Sequence, residues 1–395
     1  MKDDLLKMQK LKRKEHLKLV LHIRKEDKMK TGILSMQRVN NYGSLLQAYG
    51  LKKTIELLGS EVEFIDIKKN EYDYNLLNNK TKCEIKNKIK LKMILDKSNF
   101  IKFHNEIIRR QLIYKCDEFR KKYLDIEKKS SHYDICVIGS DEVFNCLNSG
   151  WWGYTSQLFG NVPEADKIIT YAASCGATQY NHLPTDIRIS IKKAMSGILG
   201  LSVRDENTYQ FVKSFGIDNA VSNFDPVLIY NFDEEIKRVD LPNVPKHYCI
   251  IYSYFYRFEK KEEKDAILSF CKKNKITPIA LQGGQTWCKN FISCSPFECL
   301  KLFQNADFVI TDTFHGTIFS VKYAKRFAVI IRESNYNKLN DLIRKLGIQK
   351  HLVNNISELE TVYHLDKKQQ SIENIINVER TRTLNYLRKY INEKK

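Results

Sequence analysis

No stretch of the 395 residues is apolar for long enough to cross a bilayer. The basic N-terminus lacks an apolar core ending in small residues, so neither a membrane span nor a secretory leader is expected. The ten cysteines contain no CxxC pair. The nearest cluster, Cys288, Cys294 and Cys299, has neither zinc-site spacing nor a histidine beside it, which points to buried thiols in a reduced, cytoplasmic chain. Zinc-finger, RNP and basic-zipper signatures are missing, so nucleic acid is not an expected partner. The absence of GxGxxG removes the dinucleotide fingerprint, and no short repeat suggests a solenoid.

What is present is charge and apolar mass. Hydrophobic residues make up 43% of the chain and aromatics 11%, enough to bury large cores over a length that suits two domains. The net charge is +19. Lysine spread over solvated faces accounts for it; an anionic substrate or a membrane surface is the sharper reading.

The pattern divides the chain into three parts. Residues 1–28 form a basic extension, read either as a solvated helix or as a segment that touches a membrane surface. Residues 29–225 alternate strand and helix: "TGILSM" is a buried strand, "SLLQAYGLKKTIELLG" a helix stopped by Gly59, and "EVEFIDI" the next strand. That βαβ unit predicts a parallel sheet covered by helices. A lysine-rich stretch at about 71–130, without glycine or proline, reads as a helical insertion. Strands resume at 134–140, 167–174 and 199–205. After a proline-marked crossing near 225–245, residues 226–395 hold a second series, with strands at 248–254, 275–281, 306–311 and 326–331 and helices at 259–273, 296–304 and 316–324. The expected fold is therefore α/β, two Rossmann-like units with parallel sheets.

Candidate chemistry gathers where strands end and helices begin, the usual place for ligands in open parallel sheets. His315 follows the strand "DFVIT" and opens the helix "GTIFSVKYAK". There an imidazole can bind an anion or move a proton, beside helix amides that favour negative charge. Gly316 lets backbone approach a ligand, and Thr313 offers a hydroxyl or a helix cap. The first strand–helix turn supplies Asn41, Tyr42 and Gly43, a turn that can aim N–H groups at a ligand. "VIGSDEVFN" places Gly139, Ser140 and Asp141 at another strand end, Asp141 as a base or as a cap. Arg204, in "LSVRDEN", suits a carboxylate or phosphate, or else an internal ion pair with Asp205 or Asp225. Arg332 after "FAVII" is a second such cation, and Cys175 offers a thiol at a further strand end.

Taken in order, "GILSMQRVNNYGSLLQAYGL", "YDICVIGSDEVFN", "ITYAASCGA", "SVRDENTYQFVKSFGI", "FDPVL" and "ADFVITDTFHGTIFSVKYAKRFAVI" resemble the polysaccharide pyruvyl transferase family. The tail "YNKLNDLIRKLGI" resembles its closing helix, and the likeness runs from about Lys30 to His351. The resemblance implies a GT-B-like arrangement with the site in a cleft between the two units. It implies phosphoenolpyruvate as donor and a lipid- or nucleotide-linked saccharide as acceptor, with a pyruvate ketal as product in exopolysaccharide or capsule biosynthesis. It implies no metal and no redox cofactor. His315 matches the family's acid/base and phosphate-binding histidine, and Arg204 its "VRD" arginine, a contact to the donor. One departure stands out: many members carry an arginine two residues before that histidine, where this chain has Thr313. Arg332 or Lys325 is then needed as a substitute cation. Two rivals remain: a glycosyltransferase using a nucleotide-sugar donor in the same cleft, and a non-catalytic saccharide-binding protein.

Overall fold

The computed structural model describes residues 28–68, 97–127, 129–147 and 152–391. The expected N-terminal extension, apart from its last residue, and the first half of the expected insertion lie outside the described residues.

Among the described residues, ten parallel strands form two sheets. In the first, β1 (Lys30–Leu34) is followed by α1 (Tyr42–Leu57) and β2 (Glu61–Phe64), the βαβ unit that the apolar spacing predicted. Helix α2 (Lys97–Phe119) precedes β3 (Tyr133–Asp141) and β4 (Ala165–Ala173). Then come α3 (Thr185–Met195), β5 (Ser202–Val203), α4 (Glu206–Lys213) and β6 (Val221–Ser222), giving the order β2-β1-β3-β4-β5-β6. The central strands are buried on both faces, which is why they read as unbroken apolar runs rather than alternating ones. Strand β6, two residues long, leaves no periodic signal.

The crossing at 225–245 is not an open linker. Asp225 caps α5 (Pro226–Ile229), whose proline occupies the first turn, where no amide donor is needed, and all four residues of α5 are buried. A second short helix, α6 (Asp233–Lys237), follows. Pro226 starts structure here instead of breaking it, whereas Pro242 and Pro245 lie in the stretch without helix or strand that precedes β7.

The second sheet contains β7 (Tyr248–Ser253), α7 (Lys261–Lys273), β8 (Thr277–Gln282), α8 (Pro296–Asn305), β9 (Phe308–Thr311), α9 (Phe314–Tyr323) and β10 (Phe327–Val329). Its order is β10-β9-β7-β8. Helices α10 (Tyr336–Leu346), α11 (Leu359–Tyr363) and α12 (Gln369–Ile391) complete the chain. The terminal helix, grouped by sequence position with the second unit, crosses back to the first. Tyr386 donates to the Thr170 carbonyl at 2.8 Å and Thr383 meets the Tyr171 hydroxyl at 3.1 Å, while Arg380 Nε reaches the Ile229 carbonyl of α5, in the crossing, at 2.8 Å. Helix α2 makes the opposite crossing, with Phe119 packed on Phe297 and Lys115 paired to Glu298. The two Rossmann-like units thus face one another in a GT-B-like arrangement, strapped together on both sides. Among the described residues, no helix is long and apolar enough to cross a membrane.

Candidate functional site: a cleft between two parallel sheets

The carboxyl ends of both sheets open into one cleft of about 1220 Å³. Its floor is an ionic cluster drawn from three parts of the chain. Arg204 extends the edge of β5, its amide bonded to the Ala173 carbonyl at 2.9 Å. Its NH1 donates to Asp225 Oδ2 at 2.8 Å. Asp225 spends its other oxygen on capping α5, accepting from the Val227 amide at 2.9 Å. His315, from the first turn of α9, brings Nε2 to 3.5 Å from the same Asp225 Oδ2, without forming a hydrogen bond. One fully buried carboxylate therefore ties an arginine of the first sheet to a histidine of the second.

Burial alone would raise the Asp225 pKa. Interactions with His315 and Arg204 outweigh it and hold the carboxyl at about 2. Burial likewise disfavours the Arg204 charge, but Asp225, Asp141 and Asp205 more than restore it, and the net direction is upward. Arg204 also lies 4.2 Å above the centre of the Phe314 ring, a cation–π contact. Its Nε and the His315 Nε2 are both buried without a hydrogen-bond acceptor. Such orphaned donors are costly unless a ligand answers them. His315 as a residue lines the cleft, with Nδ1 packed against the Gly43 backbone.

The first strand–helix turn supports the histidine. Asn41 caps α1, its side chain accepting from the Gly43 and Ser44 amides at 2.7 and 3.4 Å. A Cβ on Gly43 would overlap Cγ and Nδ1 of His315 and stand 2.6 Å from its Cβ, so only glycine lets the imidazole seat there. Asp141, the last residue of β3, accepts from Ser44 Oγ at 2.8 Å and lies 3.6 Å from Arg204 NH1. Its φ of 74° is a left-handed geometry that a non-glycine residue rarely adopts. Thr313 is the N-cap of α9, its Oγ1 accepting from the Gly316 amide at 3.0 Å. His315, Arg204, Asp141, Asn41 and Thr313 all line the cleft.

Seven other candidates do not. Tyr42 is fully buried, its hydroxyl accepting from the Cys294 amide at 3.3 Å, because the helix starts two residues earlier than its pattern suggests and turns this ring into the core. Gly139, with φ of 128°, sits against the Tyr171 carbonyl, where a Cβ would collide; it serves the contact between β3 and β4. Ser140 is likewise buried and donates to the Ala172 carbonyl at 3.1 Å. At Gly316 a Cβ would lie 2.6 Å from Thr313 Oγ1 and from the Tyr252 ring, so the close approach is to protein rather than to a ligand. Gly43 is a partial case: buried, it touches the site through His315 alone. Arg332 is committed to Asp312 at 3.0 Å and to Glu263 through both terminal nitrogens, which removes it as a replacement cation. Cys175 is buried beside Thr208 and Asn207, away from the cleft, and burial raises its thiol pKa.

Several lining residues escaped the sequence reading. Glu142 pairs with Lys338 of α10, and although burial opposes ionisation, Lys338 holds this carboxyl at about 2. Arg38 is paired with Asp66 at 2.6 Å, and Arg109 of α2 takes both oxygens of Glu106 at 2.7 Å. Tyr252, Tyr254, Phe255 and Arg257 line the side toward the second sheet. Arg257 comes four residues after β7 in the aromatic run "YFYRF". A cation just past a strand end was the available signal, masked by its apolar neighbours.

A family model described as "Polysaccharide pyruvyl transferase" matches residues 41–334. No curated protein matches the sequence. Among solved structures, the UDP-N-acetylglucosamine 2-epimerase from Rickettsia bellii is 10% identical, covering 92% of this chain and 96% of that one, with a TM-score of 0.47. The S. aureus MnaA–UDP structure is 12% identical over 93% of this chain and 99% of its own, with a TM-score of 0.46. The glycosyltransferase SnogD from Streptomyces nogalater is 11% identical over 93% and 98%, with a TM-score of 0.39. At these scores the likenesses carry nothing about activity.

Proposed function

From the premise that the chain belongs to the polysaccharide pyruvyl transferase family, we propose that it moves the pyruvyl group of phosphoenolpyruvate onto two hydroxyls of a saccharide acceptor, forming a ketal in exopolysaccharide or capsule synthesis. The observation that carries the reading is the Arg204–Asp225–His315 cluster on the cleft floor, with two buried nitrogens awaiting an acceptor.

The chemistry needs a proton on the donor methylene, which leaves an electron-poor carbon between carboxylate and phosphate. A sugar hydroxyl attacks that carbon, phosphate departs, and a second hydroxyl closes the ketal; the net products are the ketal and inorganic phosphate. His315 is suited to be the proton donor: it lines the cleft, and Asp225 faces its Nε2 and fixes the ring. Arg204, buried and held charged, neutralises the donor carboxylate or phosphate, aided by the first-turn amides of α9. Asp141, on the same floor, is placed to accept a hydroxyl proton. Charge fixed in advance around the departing phosphate is the main catalytic term. A lipid-linked acceptor would bring the chain to the inner membrane face.

Thermal-shift titration separates this reading from a nucleotide-sugar transferase. Phosphoenolpyruvate is expected to raise the melting temperature of the wild-type chain and not of Arg204→Met. A shift with nucleotide sugars and none with phosphoenolpyruvate would favour the glycosyltransferase.

A further inference from the structure

Five arginine and lysine side chains line the cleft: Arg38, Arg109, Arg204, Arg257 and Lys338. Four are answered by carboxylates, respectively Asp66, Glu106, Asp225 and, for Lys338, Glu142. Arg257 is the exception. No carboxylate lies within ion-pair distance of it among the described residues. Its NH1 donates to Ser334 Oγ at 3.3 Å, and its guanidinium lies 5.5 Å from the centre of the Tyr254 ring. Most of its N–H donors are left open, on a residue only partly exposed and facing the cleft.

Its location is as telling as its lack of a partner. Arg257 stands just past the carboxyl end of β7, in the same strand-end layer as Asp312 and His315 on the neighbouring β9–α9 turn. Tyr254, a residue 45% exposed, lies within electrostatic reach of Arg257 and of Asp141, Glu142 and Lys338. A planar fork of donors braced by an aromatic face is the geometry that takes a phosphoryl group through paired hydrogen bonds.

We propose that Arg257, braced by Tyr254, is a phosphate anchor of the cleft, separate from the Arg204–His315 floor. Which phosphate it takes depends on the pyruvyl-transfer reading: that of phosphoenolpyruvate, or the phosphoester joining the acceptor saccharide to its carrier. The anchor itself does not depend on that reading.

Calorimetric titration of inorganic pyrophosphate into the full chain tests it. Arg257→Gln is expected to weaken binding about 10–100-fold, the range for a charge-assisted contact. Arg110→Gln, on the exposed face of α2, is expected to leave binding unchanged. Because Arg257 holds no ion pair of the fold, its variant is expected to melt with the wild type. Failure of the wild-type chain to bind pyrophosphate overturns the proposal. So does equal binding by Arg257→Gln, or an equal loss in both variants, which would mark a diffuse attraction of the basic chain. Steady-state kinetics then distinguish the sources: a raised KM for phosphoenolpyruvate with kcat kept assigns the donor phosphate, a raised KM for the carrier-linked acceptor assigns the other, and a rise in neither overturns the anchor. Pyrophosphate binding that depends on Arg257, in a chain that never turns over phosphoenolpyruvate, would remove the pyruvyl-transfer reading and leave the anchor standing.

Discussion

Gly43 and His315 meet face to face across the two units, with no room between the glycine backbone and the imidazole for a single methyl group. Gly43→Ala therefore has to push the ring or part the two sheets. Overpacking of this kind typically costs about 1–3 kcal/mol. A fall in turnover of at least about tenfold is expected, approaching the loss in His315→Ala, with a modest drop in melting temperature. Steady-state rates beside a melting curve check it; wild-type turnover in Gly43→Ala would mean that the observed seat of the imidazole is irrelevant to activity.

Asp225→Asn keeps the shape of the connector residue and removes its charge. Arg204 would then lie buried beside a neutral amide, with Asp141 at 3.6 Å the remaining carboxylate within ion-pair distance among the described residues. Breaking a buried pair from one side costs about 3–5 kcal/mol. Chemical denaturation should show a lower midpoint, while Asp66→Asn, in a half-exposed pair with Arg38, should change it little.

Acid sensitivity follows from the same cluster. The folded pKa of Asp225 is about 2, and that of Glu142 is also about 2, both below the ordinary carboxylate range. A depressed carboxylate pKa stabilises the fold above the unfolded value, and that stability is lost as pH falls through the folded one. The window is thus from about pH 4 down to about pH 2, and Asp225 alone accounts for about 2 kcal/mol. Circular dichroism of the wild type across this window should show stability falling steeply; Asp225→Asn should show a shallower slope, and identical slopes would refute the assignment.

Lys322 predicts a trend at the other end of the scale. Half-buried on α9, it donates to the Val227 and Tyr230 carbonyls, and desolvation, then the Arg380 charge, lowers its pKa to about 7. Between about pH 7 and 10 the unfolded lysine binds a proton that the folded one has released, so this residue makes stability rise with pH. Urea midpoints from pH 7 to 9 are expected to climb in the wild type and to stay flatter in Lys322→Met.

The two parallel sheets were legible because strands buried on both faces and helices with one apolar stripe write strong periodic signals. The β1–α1–β2 unit and the strand ends carrying Asp141, Arg204 and His315 follow from that pattern. Tyr42, Gly139, Ser140 and Gly316 share those strand ends but point into packed interfaces, and neither spacing nor residue type separates the two fates. For Arg204 the pattern allowed either an anion contact or an ion pair; the structure shows the pair with Asp225 and, on the same guanidinium, a nitrogen still open. Arg332 lost its expected role to Glu263 and Asp312, partners distant in sequence. Asp225 was visible only as a candidate ion-pair partner, since its placement between Arg204 and His315 depends on how the two units face each other. Lys338 becomes legible only once the cleft exists, and the strand-end position of Arg257 was hidden in its aromatic run.

The direct measurement is phosphate release from phosphoenolpyruvate in the presence of lipid- or nucleotide-linked saccharide acceptors. Acceptor-dependent release by the wild-type chain is predicted, reduced about 10²–10⁴-fold in His315→Ala. Turnover that persists unchanged in that variant, or phosphoenolpyruvate left intact with every acceptor tried while the folded chain binds it, would contradict the role assigned to the cleft floor.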